Sequence, residues 1–190
     1  VLASVLIYWI GVAVQARRVR RHIGRSPNLK PRGLKERLLW LGWISVVGGW
    51  IALAFVIRAD HACILLRLQS GLLHPAGLLL GFLLAAGGYA GTLWCYAAMG
   101  DHWRIGVDQS EKNPLVTGGP YRFMRHPIYS FQMVMLAGAA LLLPSWLPVL
   151  LLGLHLLCVF FKALDEEAYL TRKHGDLYRQ YMLHTGRLLP

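Results

Sequence analysis

The run Pro127–Phe161, PIYSFQMVMLAGAALLLPSWLPVLLLGLHLLCVFF, holds 35 residues without one Asp, Glu, Lys or Arg. A single helix of that length would extend about 52 Å at about 1.5 Å per residue, well beyond the roughly 30 Å of a bilayer's hydrocarbon core. Pro144, Ser145 and Pro148 interrupt the run near its middle. Proline removes a backbone donor and clashes with the turn before it. The run therefore predicts a tight hairpin of two helices, 127–143 and 145–161. Each arm is at the short end for a crossing, which suits helices packed against protein or a locally thinned bilayer.

Two more stretches, Leu38–Ile57 and Leu68–Gly100, also lack charged side chains. They predict spans over 38–57 and 75–99. The chain begins at Val1 rather than Met, so a few residues are expected to be missing, and Val1–Ala16 is apolar before it meets Arg17 and Arg18. A signal peptide carries its positive charge ahead of the apolar stretch, so this segment reads as a first span. With 56% hydrophobic and 15% charged residues and a mean hydropathy of +0.45, a soluble domain is excluded. The expected fold is an all-α integral membrane protein of about five transmembrane helices, with a C-terminal helical hairpin and a cytoplasmic tail helix. It forms one membrane domain over 1–190, divided into a three-span N-terminal region, 1–99, and a C-terminal core, 100–190.

The net charge is +11. Eighteen of the twenty Lys and Arg residues fall in 17–37, 101–126 and 162–190, leaving Arg58 and Arg67 on the other side of the spans. Basic residues placed this way mark membrane topology rather than nucleic-acid binding, and they put the C terminus in the cytoplasm with the N terminus outside. The three cysteines, Cys63, Cys95 and Cys158, are widely spaced. They support neither a disulfide framework nor a metal site, and Cys95 and Cys158 read as packing residues.

Two polar clusters flank the hairpin on the basic side. The first runs Leu115-Val116-Thr117-Gly118-Gly119-Pro120-Tyr121-Arg122-Phe123-Met124-Arg125-His126-Pro127-Ile128-Tyr129. Its glycines and prolines make a tight turn, glycine lets backbone approach a ligand closely, and Pro127 suits the first position of a helix. Read on composition, it is an interfacial anchor of Arg and Tyr. The second cluster is Lys162-Ala163-Leu164-Asp165-Glu166-Glu167. Helical spacing puts Lys162 and Glu166 on one face, while Asp165 and Glu167 read as a solvated turn. Gly175 is expected to end that helix, and Asp176 to cap the next. Of the histidines, His61 and His74 lie away from these clusters. His155 sits inside a span, where a hydrogen bond to a neighbouring helix is expected.

Taken together, Leu115-Val116-Thr117-x-Gly119-x-Tyr121-x-x-x-Arg125-His126-Pro127-x-Tyr129 and Glu166-Glu167-x-x-Leu170-x-x-x-x-Gly175-x-x-Tyr178-x-x-Tyr181 resemble the two-part signature of the isoprenylcysteine carboxyl methyltransferases. The resemblance covers about residues 100–190, and the short chain is similar to prokaryotic members. It implies S-adenosylmethionine as cofactor, held on the cytoplasmic side in a largely dry site. The positions matching its contacts are Gln109, Leu115, Val116, Gly119, Tyr121, His126, Pro127, Tyr129 and Glu166. Where relatives often have His before the Leu-Val pair, this chain has Asn113 and Pro114.

The implied catalytic residues are Arg125, Glu166 and Lys162. Arg125 or Lys162 would position an anionic group, with Glu166 holding the cofactor's cationic part. Lys162 stands where eukaryotic members have Arg, keeping the charge but losing a bidentate grip. The implied partners are a lipophilic or lipidated substrate entering from the bilayer and membrane lipid, with no nucleic acid and no metal. The implied location is a prokaryotic inner or plasma membrane. Three other readings share parts of the pattern. Phospholipid N-methyltransferases have a similar helical core and acidic pair. NADPH-dependent sterol-type reductases share an Arg-His-Pro-x-Tyr-like string, but usually carry Arg-Asp-Asp and a cysteine where this chain has Asp165-Glu166-Glu167. A non-catalytic scaffold would keep the fold alone.

Overall fold

The computed structural model describes residues 2–23, 33–56, 64–69, 71, 73–103 and 114–190. Among them are six α-helices and no strand: α1 Leu2–Ile23, α2 Gly33–Val56, α3 Pro75–Met99, α4 Pro127–Leu142, α5 Trp146–His174 and α6 Asp176–Leu183. The protein is an all-α membrane protein. Three stretches are long and apolar enough to cross a bilayer: Gly33–Leu53, Pro75–His102 and Trp146–His174. Helix α4 is apolar but shorter, at 16 residues.

The hairpin breaks at the expected place. Helix α4 ends at Leu142 and α5 begins at Trp146, with Pro144 and Ser145 between them. The turn is fixed from outside by the 64–69 segment: Gln69 N–H donates to Pro144 O at 2.8 Å, and Leu147 N–H to Leu65 O at 3.0 Å. Helix α5 does not stop near Phe161. It continues to His174, so the acidic cluster and Tyr169 ride on the same rod as the apolar span. Gly175 ends it at a φ of +55°, and Gly175 itself, rather than Asp176, occupies the capping position of α6.

Large apolar side chains point outward: Leu79, Leu80, Phe82 and Leu83 on α3 and Leu156 and Leu157 on α5 are exposed. All but one of the buried residues on α3, Tyr96, are small, with Gly81, Ala85, Gly88, Thr92 and Cys95 along one stripe. This is the reverse of a water-soluble helix and follows from the solvent. Lipid tails are as apolar as Leu, so helices associate through close backbone packing of small residues. Helix α4 answers with Gly138, where an added Cβ would lie 2.5 Å from Ala85 N and 2.6 Å from Gly81 O. At the stripe's other end, a Cβ on Gly88 would lie 2.6 Å from Phe131 O.

The charged helix ends gather at one end of the bundle. His22 at the close of α1 lies 3.2 Å from Asp101 after α3, and Lys35 at the start of α2 lies 2.6 Å from Asp165 on α5. At the opposite end, His74 accepts a hydrogen bond from Gly77 N–H at 3.1 Å and caps α3, a structural role. Cys95 and Cys158 are free and buried among packed helices.

Candidate functional site

Three segments meet at the charged end: the turn leading into α4, the extended end of α5 and the C-terminal tail after α6. Gly119–Arg122 forms a 3-10 turn, and Pro127 takes the first position of α4, fully buried. Gly119 has a φ of +60°, which only glycine adopts without strain. A Cβ there would stand 3.0 Å from Ala98 Cβ and 3.5 Å from Trp94 Nε1. The close approach it permits is to α3.

Glu167 is the hub. Its carboxylate accepts from Arg125 Nε at 2.8 Å and from Arg187 Nη2 at 2.8 Å and Nε at 3.0 Å. Only 7% of the residue is exposed. The expected solvated turn is therefore corrected at Glu167: two guanidinium groups offset the desolvation of its charge. Asp165, by contrast, stays half-exposed and ties α5 to α2 through Lys35. The tail is stitched to the turn by backbone as well. Arg125 N–H donates to Gly186 O at 2.9 Å and His126 N–H to Arg187 O at 3.0 Å, beside a parallel bridge between Met124 and Gly186. Arg125 Nη1 donates to Met182 O and Thr185 O, and Tyr181 Oη donates to Tyr121 O at 2.5 Å. The Arg125 guanidinium is thus committed to the protein.

Glu166, one residue before the hub, turns toward α4. Tyr129 Oη donates to Glu166 Oε1 at 2.8 Å, and His126 Nδ1 lies 3.4 Å from Glu166 Oε2. The His126 and Tyr129 rings stack with centroids 5.7 Å apart and planes 17° from parallel. His126 Nε2 lies 3.4 Å from Glu167 Oε1 but has no aligned hydrogen-bond partner. Burial opposes the imidazolium, yet the flanking Glu166 and Glu167 carboxylates outweigh it and raise the His126 pKa above its ordinary 6.5. Burial, then the neighbouring Cys95, Glu166 and Tyr181, hold the Tyr121 phenol well above its usual range. Burial likewise pushes Tyr181 up to about 12. Both therefore act as neutral phenols, able to donate hydrogen bonds.

The structure thus brings together Tyr121, Arg125, His126, Pro127, Tyr129 and Glu166. Leu115 and Val116 lie half-buried on the approach to the turn. Lys162 sits one helical turn before Glu166 without an ion pair to it among the described residues. Gln109 lies outside the described residues. Sequence reasoning missed Arg187, which has no motif around it and enters only because the tail folds back. It also missed Glu167 as the hub, since three consecutive acids give no sign of which one turns inward.

Residues 76–176 match the phospholipid methyltransferase family, more than half of the chain. The chain belongs to this family. The family stretch holds α3 apart from Pro75, α4 and all of α5 with its end cap, and so contains the turn, His126, Tyr129, Glu166 and Glu167. It reaches back over α3, which the sequence reading credited with hydropathy alone. The chain is also similar to the protein-S-isoprenylcysteine O-methyltransferase of Schizosaccharomyces pombe, 35% identical over 78 residues, 40% of this chain and 33% of that one. It therefore spans about a third of that relative's length.

Proposed function

We propose that the chain is a membrane methyltransferase that uses S-adenosylmethionine to methylate the carboxylate of a lipophilic acceptor, such as a prenylcysteine-like amphiphile. The observation that carries this reading is the Glu166 carboxylate held between Tyr129 and His126 at the charged end of a hairpin that belongs to the family. The residues present fit the cofactor. A half-buried carboxylate beside the His126 and Tyr129 rings suits a cation, and His126 Nε2, without an aligned hydrogen-bond partner, offers a buried polar atom to a ligand. Glu166, His126, Tyr121 and Tyr129 would hold it, with Leu115, Val116, Gly119 and Pro127 on the approach.

When bound, the cofactor supplies a methyl group activated by a sulfonium. The chain's own residues do the rest. An acceptor carboxylate with an ordinary pKa of about 4 is already ionised at neutral pH, so no general base is required. The residues' main task is alignment of the two reactants. Lys162 positions the acceptor's anionic group. Arg125 acts through Glu167 as a positioning residue that locks the tail over the turn. Dry walls favour the loss of charge as the methyl moves. The distribution of Lys and Arg supports a cytoplasmic position for this end, with the N terminus outside.

The family description favours a second reading, an amine acceptor on a phospholipid. That reaction must release a proton, and the half-buried Glu166 carboxylate would receive it. The test is calorimetric titration of the purified protein with S-adenosylhomocysteine and NADPH, followed by turnover on prenylcysteine analogues, fatty acids and phosphatidylethanolamine. Saturable binding of S-adenosylhomocysteine alone is expected, weakened at least tenfold in Glu166→Gln. Binding of NADPH alone overturns methyl transfer, unchanged binding and turnover in Glu166→Gln overturns the role of that residue, and turnover on phosphatidylethanolamine alone moves the assignment to the amine.

A further inference from the structure

The end of α1 carries positive charge that the rest of the protein does not balance. Tyr8, Val12 and Val19 are buried in one cluster with Tyr96 of α3 and with Trp103. Residues three, four and seven apart share a face of a helix, so this cluster fixes the inward side of α1. On the outward side Ile7, Ile10 and Val14 are exposed. An exposed apolar stripe on a membrane protein faces lipid tails. Arg17 and Arg21 continue that stripe at the same spacing, with Arg18 and Arg20 on its flanks, and all four are exposed.

None of the four arginine side chains makes an ion pair or a hydrogen bond among the described residues. Asp101, the acid that meets this end of α1, lies 3.2 Å from His22 instead. Other cations at the charged end are matched locally. Lys35 pairs with Asp165, Arg179 with Asp176, and Arg125 and Arg187 with Glu167. The α1 arginines differ from these in having no counter-charge within the protein.

We propose that the end of α1 is a binding surface for the headgroup of an anionic phospholipid. Position supports it first. Helical side chains lean toward the helix N-terminus, so guanidinium groups that follow an apolar stripe lean back toward the lipid and reach headgroup level. The choice of residue supports it next. A guanidinium is planar and weakly hydrated, and it grips a phosphate through two parallel N–H bonds. Membrane topology alone is served equally well by Lys, yet all four residues are Arg. Charge decides between lipids. The phosphate of a zwitterionic lipid brings its own ammonium, whereas four unpaired cations favour a headgroup with net negative charge. A soluble phosphate would gain nothing from Ile7, Ile10 and Val14, which offer acyl chains a surface beside the same arginines. The surface lies outside residues 76–176, the family stretch, and does not depend on methyl transfer.

The test uses the full chain in neutral detergent, where membrane orientation plays no part, and reads bound lipid by native mass spectrometry. The probes are dioctanoyl phosphatidylglycerol, dioctanoyl phosphatidylcholine and sn-glycerol 3-phosphate. Phosphatidylglycerol is expected to bind saturably, about tenfold more tightly than the other two. Arg17→Gln combined with Arg21→Gln should weaken it about fivefold or more. Arg122→Gln combined with Arg172→Gln removes the same charge from two other exposed arginines and should change it less than about twofold. Equal affinity for the two lipids overturns the proposal, as does undiminished binding in the Arg17, Arg21 variant. Equal losses in the two double variants would mean that net charge alone is read, and glycerol phosphate binding as tightly as the lipid would mean a soluble-anion site; either result overturns it too. Should the Arg17, Arg21 variant fail to fold, arginine modification of the unaltered chain by p-hydroxyphenylglyoxal decides the matter. Phosphatidylglycerol but not phosphatidylcholine must slow modification within 17–21 relative to Arg122 and Arg172, and equal modification in both lipids overturns the site.

Discussion

The charged end and the surroundings of Trp50, Gln132 and His155, on α2, α4 and α5, are both places where polar side chains are buried in an apolar protein, and they are built in opposite ways. Around Glu167 each carboxylate oxygen meets a guanidinium, and the tail's carbonyl groups absorb what remains of Arg125. Around His155 the polar atoms are buried without a hydrogen-bond partner among the described residues, so the bond to a neighbouring helix expected there is absent. A satisfied network holds segments in place, because breaking it strands charges. An unsatisfied one is a cost the fold carries unless something else supplies the missing partners. The difference marks Glu167 as the molecule's fastener and the surroundings of His155 as a place where the fold carries unpaired polar groups. Glu166 and His126 lie between these extremes, paired with each other and with Tyr129 yet keeping one ring nitrogen unmet.

The sharpest way to break the comparison is to remove the hub. Glu167→Ala leaves Arg125 and Arg187 without their buried counter-charge and is expected to cost about 3–5 kcal/mol, read as a large fall in melting temperature in detergent. Combining Glu167→Leu with Arg187→Leu should recover part of that loss, because the pair is coupled. If Glu167→Ala melts like the unaltered chain, the fastener reading is wrong.

Gly138→Ala tests whether the hairpin's position also depends on close backbone contact with α3. The added Cβ meets backbone atoms of Ala85 and Gly81 that cannot rotate away. The expected cost is about 1–3 kcal/mol of overpacking. A thermal shift of the same size from Gly153→Ala, where nothing lies within 4 Å of the added Cβ, would show that helix flexibility rather than packing is being measured.

A smaller effect is expected from pH. The folded pKa of His126 is raised above 6.5. The fold therefore favours the protonated ring, and that stabilisation is complete below the unfolded value and is lost as pH rises through the folded one. Melting temperature should decline with rising pH through that window, and the decline should flatten in His126→Phe. A slope of opposite sign, or one that survives the substitution, removes His126 from the network.

The smallest effect belongs to His155. His155→Leu deletes unpaired polar atoms and should leave stability unchanged or raise it by about 1 kcal/mol. A loss of several kcal/mol would mean that His155 has a partner after all, and the contrast with Glu167 would disappear.

Much of the fold was legible in the chain. Apolar runs of fixed length and prolines at 144 and 148 predict helices and a hairpin without tertiary information, because a bilayer core has one thickness and proline forbids one backbone bond. The paired motifs around His126 and Glu166 were legible too, since both sit next to the helices that deliver them. What stayed hidden depends on side-chain direction. Glu166 and Glu167 are neighbours, and a helix turns successive residues about 100° apart, so one reaches His126 and Tyr129 while the other reaches two arginines. Sequence spacing alone did not assign them. Arg187 is remote from every motif and joins only because the tail folds back.

By itself, then, the sequence determined where the helices run, where the hairpin turns and which polar segments lie together at one end. Those outcomes follow from local chemistry and the length of apolar runs. Only the tertiary structure decided which acid is buried against arginine, which glycine touches backbone on another helix, and that His155 is buried without a hydrogen-bond partner among the described residues. Each of these is a relation between residues distant along the chain, and their separation in space is set by the packing of whole helices.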